Sequence, residues 1–339
     1  MTEKMMNREL PKISEDNDKF EFTGESKTVV DKNGKEHTLY RIRATKDITL
    51  ARFILKLETD ETALHQIIDI ISDKLDEISS NFDPDVLWWT PKDRTRLLTR
   101  VIRVRIGELG GFIEKEENLD YKSNAWIFAN AMVYGDAQVS GEVIVSGYAQ
   151  VSGKAQVYGF ANVCDNAVIG EDAQIYGDAE VSGNAVVAGN AKVFEGAKVY
   201  GKAVVAGNAI VYGEDTWVYD NAQVTGNAMV VGSHVYGNAV VADNANVYNS
   251  VVNKNAQVYG NAYVSYSTVS GKAQVYGNAR VTEHAEVYED ALVSGNAEVS
   301  GYAGAHDQTK VHGKAVITDG EWTYGDITEE NCVKKAKRP

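Results

Sequence analysis

The sequence predicts a mainly β protein, in which a stack of triangular coils follows a small α+β module. Two observations carry this prediction. A six-residue motif, A-x-V-x-G-N, repeats from about residue 125 to residue 319. The 124 residues before it read instead as a hairpin, a helix and a basic strand. A period of six residues is not a helix period, and an unbroken run of this length indicates a repeat architecture.

The repeat is best indexed on its apolar position. This position runs from Ile127 to Ile317 through 33 slots, of which 28 are valine and four are isoleucine. Two residues before each slot stands a small residue, which is alanine in 27 of the 33 cases. Because side chains alternate along a strand, these two positions share one buried face. The Gly-Asn pair then turns the chain, since both residues tolerate positive φ. Three strands and three corners close a coil of 18 residues, so the 33 slots predict about 11 coils.

This hexad pattern resembles the left-handed parallel β-helix family of hexapeptide-repeat proteins, of the trimeric LpxA-like type. The resemblance implies a left-handed coil and a homotrimer. Two enzyme types use that fold, hexapeptide acyltransferases and γ-type carbonic anhydrases, and both depend on histidine.

The six histidines offer little to either enzyme type. They are His37, His65, His234, His284, His306 and His312. No three of them converge within one coil pair, so we expect no metal site and no cofactor. The coils also lack a long inserted loop, which leaves His234 as the best candidate for a catalytic base. We therefore expect no catalytic residues, with an acyltransferase-like activity as the enzyme alternative.

An apolar strip on the outside of one face is the first candidate interaction surface. In NAVVAGNA, residues 184–191, the buried positions are Ala185 and Val187, so Val186 and Ala188 point outward. The strip comprises Val168, Val186, Ala188, Val204, Ala206, Val240 and Ala242. An exposed apolar strip of this length indicates a partner. We expect a homotrimer contact here, and docking of the chain's own N-terminal segment is the alternative.

The period slips at four places, all at one corner of successive coils. Seven residues separate Val211 from Val218, and only five separate the apolar slots at each of the next three slips. At these short corners serine takes the inward small position, where its hydroxyl can satisfy backbone groups that a tightened turn frees. The alternative is a shallow notch with an acidic lip that holds a partner. The irregular corner comprises Glu214, Asp215, Trp217, Ser233, His234, Ser250, Ser267 and Thr268.

Outward aromatic residues recur at the coil spacing. One ladder comprises Tyr158, Tyr176, Phe194 and Tyr212, a second Tyr200, Tyr219 and Tyr236, and a third Tyr259 and Tyr276. We interpret them as packing between adjacent strands. A platform for sugars or bases is the alternative.

Residues 18–106 predict the α+β module, after a flexible N-terminus at 1–17. The module contains a hairpin that turns at Asn33-Gly34, an amphipathic helix at 61–79 and a basic strand at 99–106.

A basic and aromatic insert within this module is a third candidate site. It comprises Trp88, Trp89, Lys92, Arg94, Arg96, Arg100, Arg103 and Arg105. Such a cluster suits an acidic partner or nucleic acid. Alternatively, its arginines pair with the acidic coils or form a solvated strand face.

Residues 107–124 form a cap before the repeats and carry a more specific signature. The element G-E-L-G-G-F-I-E-K-E-E-N-L at 107–119 precedes N-A-W-I, which leads into the hexads. Together with Tyr40–Ala44, it resembles the leader of hexapeptide-repeat proteins encoded by bacteriophages and prophages. The resemblance implies a viral origin, but that family has no settled activity. Residues 45–106 depart from its pattern as an added module.

Within the cap, Gly110 and Gly111 permit a tight approach of the chain. We expect Phe112 and Ile113 to close the open core of the first coil.

The charge distribution limits the partners. The net charge is −14, and residues 125–319 contribute −10 of it, with 19 acidic and nine basic residues. An acidic repeat body disfavours general nucleic-acid binding. No signal peptide and no apolar run of about 20 residues is present, so we expect no membrane partner and a host cytoplasmic location.

These features predict a phage-encoded, non-enzymatic scaffold, with residues 320–339 as a C-terminal cap and basic tail. We expect it to bind a host or viral macromolecule, with inhibition of a host defence system as the specific form. A structural virion part, such as a fibre or spike, is the first alternative. The others are an acyltransferase-like enzyme and an acidic mimic of nucleic acid.

Overall fold

Valine and alanine at the hexad slots fill the interior of a parallel β-solenoid of about twelve coils. The structure, a computed structural model, describes residues 10–57, 87–89 and 96–329, without the side chains of 51–57, 87–89 and 96–101. The predicted mainly β fold of stacked coils is confirmed. Three parallel sheets, which we name sheets 1, 2 and 3, enclose one continuous core.

Each sheet takes one short strand from every coil. In sheet 1 these are Met132–Val133, Gln150–Val151, Val168–Ile169, Val186–Val187, Val204–Val205, Gln223–Val224, Val240–Val241, Gln257–Val258, Gln274–Val275, Leu292–Val293, Lys310–Val311 and Asp326–Ile327. In sheet 2 they are Trp126–Ile127, Ile144–Val145, Asn162–Val163, Glu180–Val181, Lys198–Val199, Trp217–Val218, His234–Val235, Val251–Val252, Thr268–Val269, Glu286–Val287, Gly304–Ala305 and Glu321–Trp322. In sheet 3 they are Gln138–Val139, Gln156–Val157, Gln174–Ile175, Lys192–Phe194, Ile210–Tyr212, Met229–Val231, Asn246–Tyr248, Tyr263–Ser265, Arg280–Val281, Glu298–Val299 and Val316–Ile317.

The inward columns follow the hexad index. Ala185 and Val187 are fully buried, and Val187 lies beside Val205 of the next coil in a parallel register. The same pairing repeats along all three sheets, so the inward valines and isoleucines stack on one another. Burying one such side chain contributes roughly 1.5–3 kcal/mol.

The corners use left-handed backbone, as the Gly-Asn pairs predict. Gly189 has a φ of 72° and Gly207 a φ of 75°. The asparagines do more than turn the chain, because their side-chain amides bond from coil to coil at 2.8–3.0 Å. This ladder runs through Asn190, Asn208, Asn227, Asn244, Asn261, Asn278 and Asn296.

The stack continues beyond the last predicted hexad at Ile317. Trp322 pairs with Ala305 in sheet 2, and Ile327 pairs with Val311 in sheet 1. These strands come at a spacing of five residues rather than six, which is why the hexad index gives 11 coils and the structure has about twelve.

The N-terminal part adds six strands: β1 (Phe20–Val30), β2 (Glu36–Ala44), β3 (Ile48–Leu57), β4 (Leu87–Trp89), β5 (Arg96–Val104) and β6 (Leu109–Ile113). The hairpin β1–β2 turns at Gly34, which has a φ of 81°. Strands β1, β2 and β6 extend sheet 1 at its first edge, because β6 pairs with Met132–Val133. Strands β3, β5 and β4 form a separate small sheet.

A 3₁₀ turn at Glu116–Asn118 is the only helical element among the described residues. The predicted helix at 61–79 lies outside them. Within the described ranges, no helix has the length and apolar character needed to cross a membrane. The basic strand, predicted at 99–106, begins at Arg96 and ends at Val104. The chain turns at Gly107, which has a φ of 88°, and Ile106 beside it is 68% exposed.

The cap closes the core with one residue of the predicted pair. Ile113 is fully buried in the core, but Phe112 lies on the opposite face with Leu39 and Tyr134. The expectation that both residues cap the core is therefore wrong, because neighbours on a strand point to opposite faces. Gly111 is needed for space, since a Cβ there would lie 2.6 Å from the carbonyl oxygen of Ala131.

Candidate functional site

The outward face of sheet 1 carries no charged side chain over ten successive strands, from Met132–Val133 to Leu292–Val293. We call it the sheet 1 face. It comprises Met132, Tyr134, Gln150, Ser152, Val168, Gly170, Val186, Ala188, Val204, Ala206, Gln223, Thr225, Val240, Ala242, Gln257, Tyr259, Gln274, Tyr276, Leu292 and Ser294. The other sheets differ: sheet 2 exposes Glu180 and Lys198, and sheet 3 exposes Lys192 and Arg280.

The predicted apolar strip lies at the centre of this face. Val168 pairs with Val186, Val186 with Val204, Val204 with Gln223, and Gln223 with Val240. Each strip residue is partly exposed, and so are Ala188, Ala206 and Ala242 beside them. The sequence located this strip but missed that the uncharged surface extends beyond it in both directions.

The N-terminal hairpin continues the face at one end. Leu39 and Phe112 pack with Tyr134 of the first coil, and partly buried Val29 and Met132 join them. The hairpin tip reaches the third coil, where Lys32 forms an ion pair with Glu171. The described part of the N-terminal segment thus extends the sheet edge and leaves the strip partly exposed.

The aromatic ladders stack as flat columns. Ring centroids from Tyr158 through Tyr176 and Phe194 to Tyr212 are 4.6–4.9 Å apart, and their planes differ by at most 4°. Successive rings cover each other's faces, so mainly ring edges remain for solvent. This geometry favours the packing interpretation over a platform for sugars or bases, which needs free ring faces.

A buried ladder of hydroxyl groups shapes the irregular corner. The Thr216 hydroxyl accepts a hydrogen bond from the Gly232 N–H at 2.6 Å, and Ser233 Oγ accepts one from the Ser250 N–H at 3.0 Å. Ser250 Oγ in turn accepts one from the Ser267 N–H at 3.1 Å. Each serine hydroxyl also donates to a carbonyl two residues earlier. The inward serines therefore satisfy the backbone of the shortened turns.

On the outer side of this corner, one lengthened turn lies next to three shortened turns. Glu214 and Asp215 are exposed on the one lengthened turn, beside three shortened ones. Trp217 and His234 stack in sheet 2 with centroids 4.8 Å apart and planes 10° apart. Thr268 continues the same column. His234, the candidate base, is thus part of a stacked column.

The basic insert is only partly described. Trp88 and Trp89 lie in β4, opposite Leu97 and Arg96 of β5. Lys92 and Arg94 lie outside the described residues. Arg103 and Arg105 are exposed. The register of β3 and β5 also sets Arg52 opposite Arg100, which sequence reasoning missed because β3 lies 40 residues away along the chain.

Comparison with known families agrees with this architecture. Three stretches of the coils, residues 173–189, 256–272 and 273–289, match the YdcK Beta solenoid repeat. The chain is a β-solenoid repeat protein. A comparison with curated proteins found no significant match to this sequence.

The solenoid also holds a cluster that the search for histidine triads missed. The ring of His306 stacks on Tyr288 with centroids 4.6 Å apart. Its Nδ1 lies 3.0 Å from Asp307 Oδ2, and its Nε2 lies 3.3 Å from Glu321 Oε2. Burial and then the surrounding carboxylates, Glu321 foremost, raise the pKa of the Tyr288 phenol. A search that paired each histidine with acids one coil away would have found this cluster.

Proposed function

We propose that this chain is a self-associating, non-enzymatic scaffold that holds a module for binding a macromolecule. One observation carries the proposal: an acidic protein of net charge −14 keeps one sheet face free of charge over ten successive strands. Charged residues keep a protein surface soluble, so an ordinary solvent-facing surface of ten strands is expected to contain some of them. Their absence from this face therefore favours a role in binding.

The dimensions suit an interface between copies. At about 4.8 Å between strands, ten strands make a face about 45 Å long. A standard interface buries about 800 Å² on each partner, which a face of this length can supply. Contact between acidic copies at an uncharged face also avoids burying carboxylates against each other, which would cost several kcal/mol for each charge.

The finer parts of the proposal come from the sequence resemblance. The motifs at 107–127 and the hexads support a bacteriophage protein, a left-handed coil and a homotrimer. We assign partner binding to the inserted module, because it departs from the repeat and has basic residues at β5. Because the module is basic at β5, we propose an acidic host or viral protein as its partner. The role that we propose is inhibition of a host defence system in the cytoplasm.

Charge placed on the sheet 1 face tests self-association. Val186→Lys with Val204→Lys puts two ammonium groups on adjacent strands of the strip. Gln156→Lys with Gln174→Lys is the matched control, because these residues are also adjacent but lie on sheet 3. Sedimentation velocity should show monomers for the first variant and unchanged trimers for the control. A trimer that survives the first variant contradicts the assignment of the interface.

Replacing the module tests the assignment of partner binding. Ala51 and Val101 are opposite partners in β3 and β5, so a two-residue Asn-Gly turn can join them in place of residues 52–100. This keeps Ile48, Leu50 and Val104 in the core, where they are buried. The shortened chain should still assemble with the same number of copies and should lose the host protein that the full chain captures. If the shortened chain still captures the host protein, the partner binds the solenoid. If the full chain captures no host protein and is found in purified virions, it is a structural part of the virion.

A further inference from the structure

One corner of the solenoid stacks acid upon acid. Corner acids elsewhere accept the N–H of a glycine in the next coil: Asp165 from Gly183, Asp220 from Gly237 and Asp243 from Gly260, at 2.9–3.2 Å. Glu289 makes the same bond at 3.2 Å, but its donor is the backbone of Asp307. Two carboxylates therefore share one column, and like charges in adjacent strands are destabilising unless something neutralises them.

His306 lies between these acids and a third carboxylate. Asp307 faces its Nδ1 at 3.0 Å and Glu321 faces its Nε2 at 3.3 Å. A neutral imidazole has a single N–H, so it can donate to only one of these carboxylates. A metal ion bound at the other nitrogen would satisfy the second carboxylate. The Tyr288 ring stacks on the imidazole and leaves its side chain only 14% exposed, which fixes the ring in this position.

We propose that Glu289, His306 and Asp307 bind a divalent transition-metal ion, with Zn²⁺ as the best match. One ligand atom from each residue lies within 4.8 Å of the others. Imidazole nitrogen with carboxylate oxygen is a ligand set that zinc accepts, whereas magnesium and calcium prefer oxygen alone. Three protein ligands leave at least one coordination position for water.

Glu321 completes the arrangement as a positioning residue. A histidine that binds metal through one nitrogen almost always donates its other N–H to a carboxylate or carbonyl, which fixes the tautomer. Glu321 occupies that place at Nε2, so Nδ1 faces the ion. Gly304 makes the space for it, because a Cβ at that glycine would collide with the Glu321 carboxylate. The ligands come from adjacent coils, so a bound ion would tie together the last turns of the solenoid.

Calorimetric titration of Zn²⁺ into the untagged full chain, after chelator treatment, tests the site. We expect one ion per chain. Asp307→Asn and His306→Gln should each weaken binding at least tenfold. Glu321→Gln should retain the one-to-one stoichiometry and weaken binding about 10–100-fold. Asp290→Asn is the matched control, because Asp290 is adjacent to Glu289 but lies 3.9 Å from Lys272 instead.

Two results would overturn the proposal. A wild-type dissociation constant weaker than about 1 mM would mean that these three residues do not form a metal site. Equal loss of affinity in Asp290→Asn and Asp307→Asn would mean diffuse attraction to an acidic surface. Circular dichroism of every variant confirms that the coils remain folded, and the Co²⁺ spectrum of the wild-type chain gives an independent measure of histidine ligation.

Discussion

Removing one hydroxyl from the irregular corner should destabilise the solenoid by about 1.5–4.5 kcal/mol. Ser250→Ala creates no steric problem, because alanine stands at 27 of the 33 equivalent slots. Ser250 is 4% exposed, and its hydroxyl makes two hydrogen bonds, one from the Ser267 N–H at 3.1 Å and one to the Tyr248 carbonyl at 2.6 Å. The carbonyl keeps a second donor, the Tyr266 N–H at 3.0 Å. The Ser267 N–H loses its acceptor.

The magnitude comes from this asymmetry. A buried donor left without an acceptor costs about 1–3 kcal/mol, and loss of one of two bonds at the carbonyl about 0.5–1.5 kcal/mol. Urea unfolding gives the sum, and hydrogen exchange at the Ser267 amide locates it. Ser294→Ala, an outward serine of the sheet 1 face, is the control. If both variants unfold at the same urea concentration, the hydroxyl ladder does not stabilise the shortened corners.

Two further predictions concern the cap. Burial lowers the pKa of Lys19 from 10.5 to about 7, while its Nζ donates to the carbonyls of Asp120 and Ser123 at 2.9 Å. Between pH 7 and pH 9 the lysine is protonated in the unfolded chain but mostly neutral in the folded one. The free energy of unfolding should therefore rise by about 1 kcal/mol per pH unit. Urea titrations of Lys19→Met should show no such dependence on pH. Gly111→Ala should lower the free energy of unfolding by about 1–3 kcal/mol, because the new Cβ overpacks against the Ala131 carbonyl. The control is Gly170→Ala, whose Cβ would meet only Ser152 Oγ at 3.6 Å and should leave thermal unfolding nearly unchanged. Equal melting temperatures for these two glycine variants would contradict the close approach at the cap.

The hexad spacing was sufficient to predict most of the solenoid. Side-chain alternation and a period of six determine which residues point inward, and both hold from Ile127 to Ile317 except at the four irregular turns between Val211 and Val269, where the period alone changes. Stacking at one coil per 18 residues also predicted the aromatic columns and the strip. The count failed beyond Ile317, because Trp322 and Ile327 come at five-residue spacing and carry no hexad signature.

The features that sequence reasoning missed depend on neighbours across coils. Apart from the neighbours His306 and Asp307, the asparagine ladder and the group around His306 join residues 15–19 positions apart, so they become visible only once the register of every corner is known. Phe112 was assigned to the wrong face because its strand begins before the hexad index does. The full extent of the sheet 1 face was not predicted, because its glutamines and tyrosines are uncharged but do not form an apolar pattern.

Native mass spectrometry of the untagged full chain tests most directly whether this solenoid is a self-associating scaffold. A self-associating trimer gives a dominant species of three times the chain mass of 37.0 kDa at micromolar concentration. A species of 37.0 kDa alone, across the same concentrations, would contradict it and leave the uncharged sheet 1 face without a second copy to cover it.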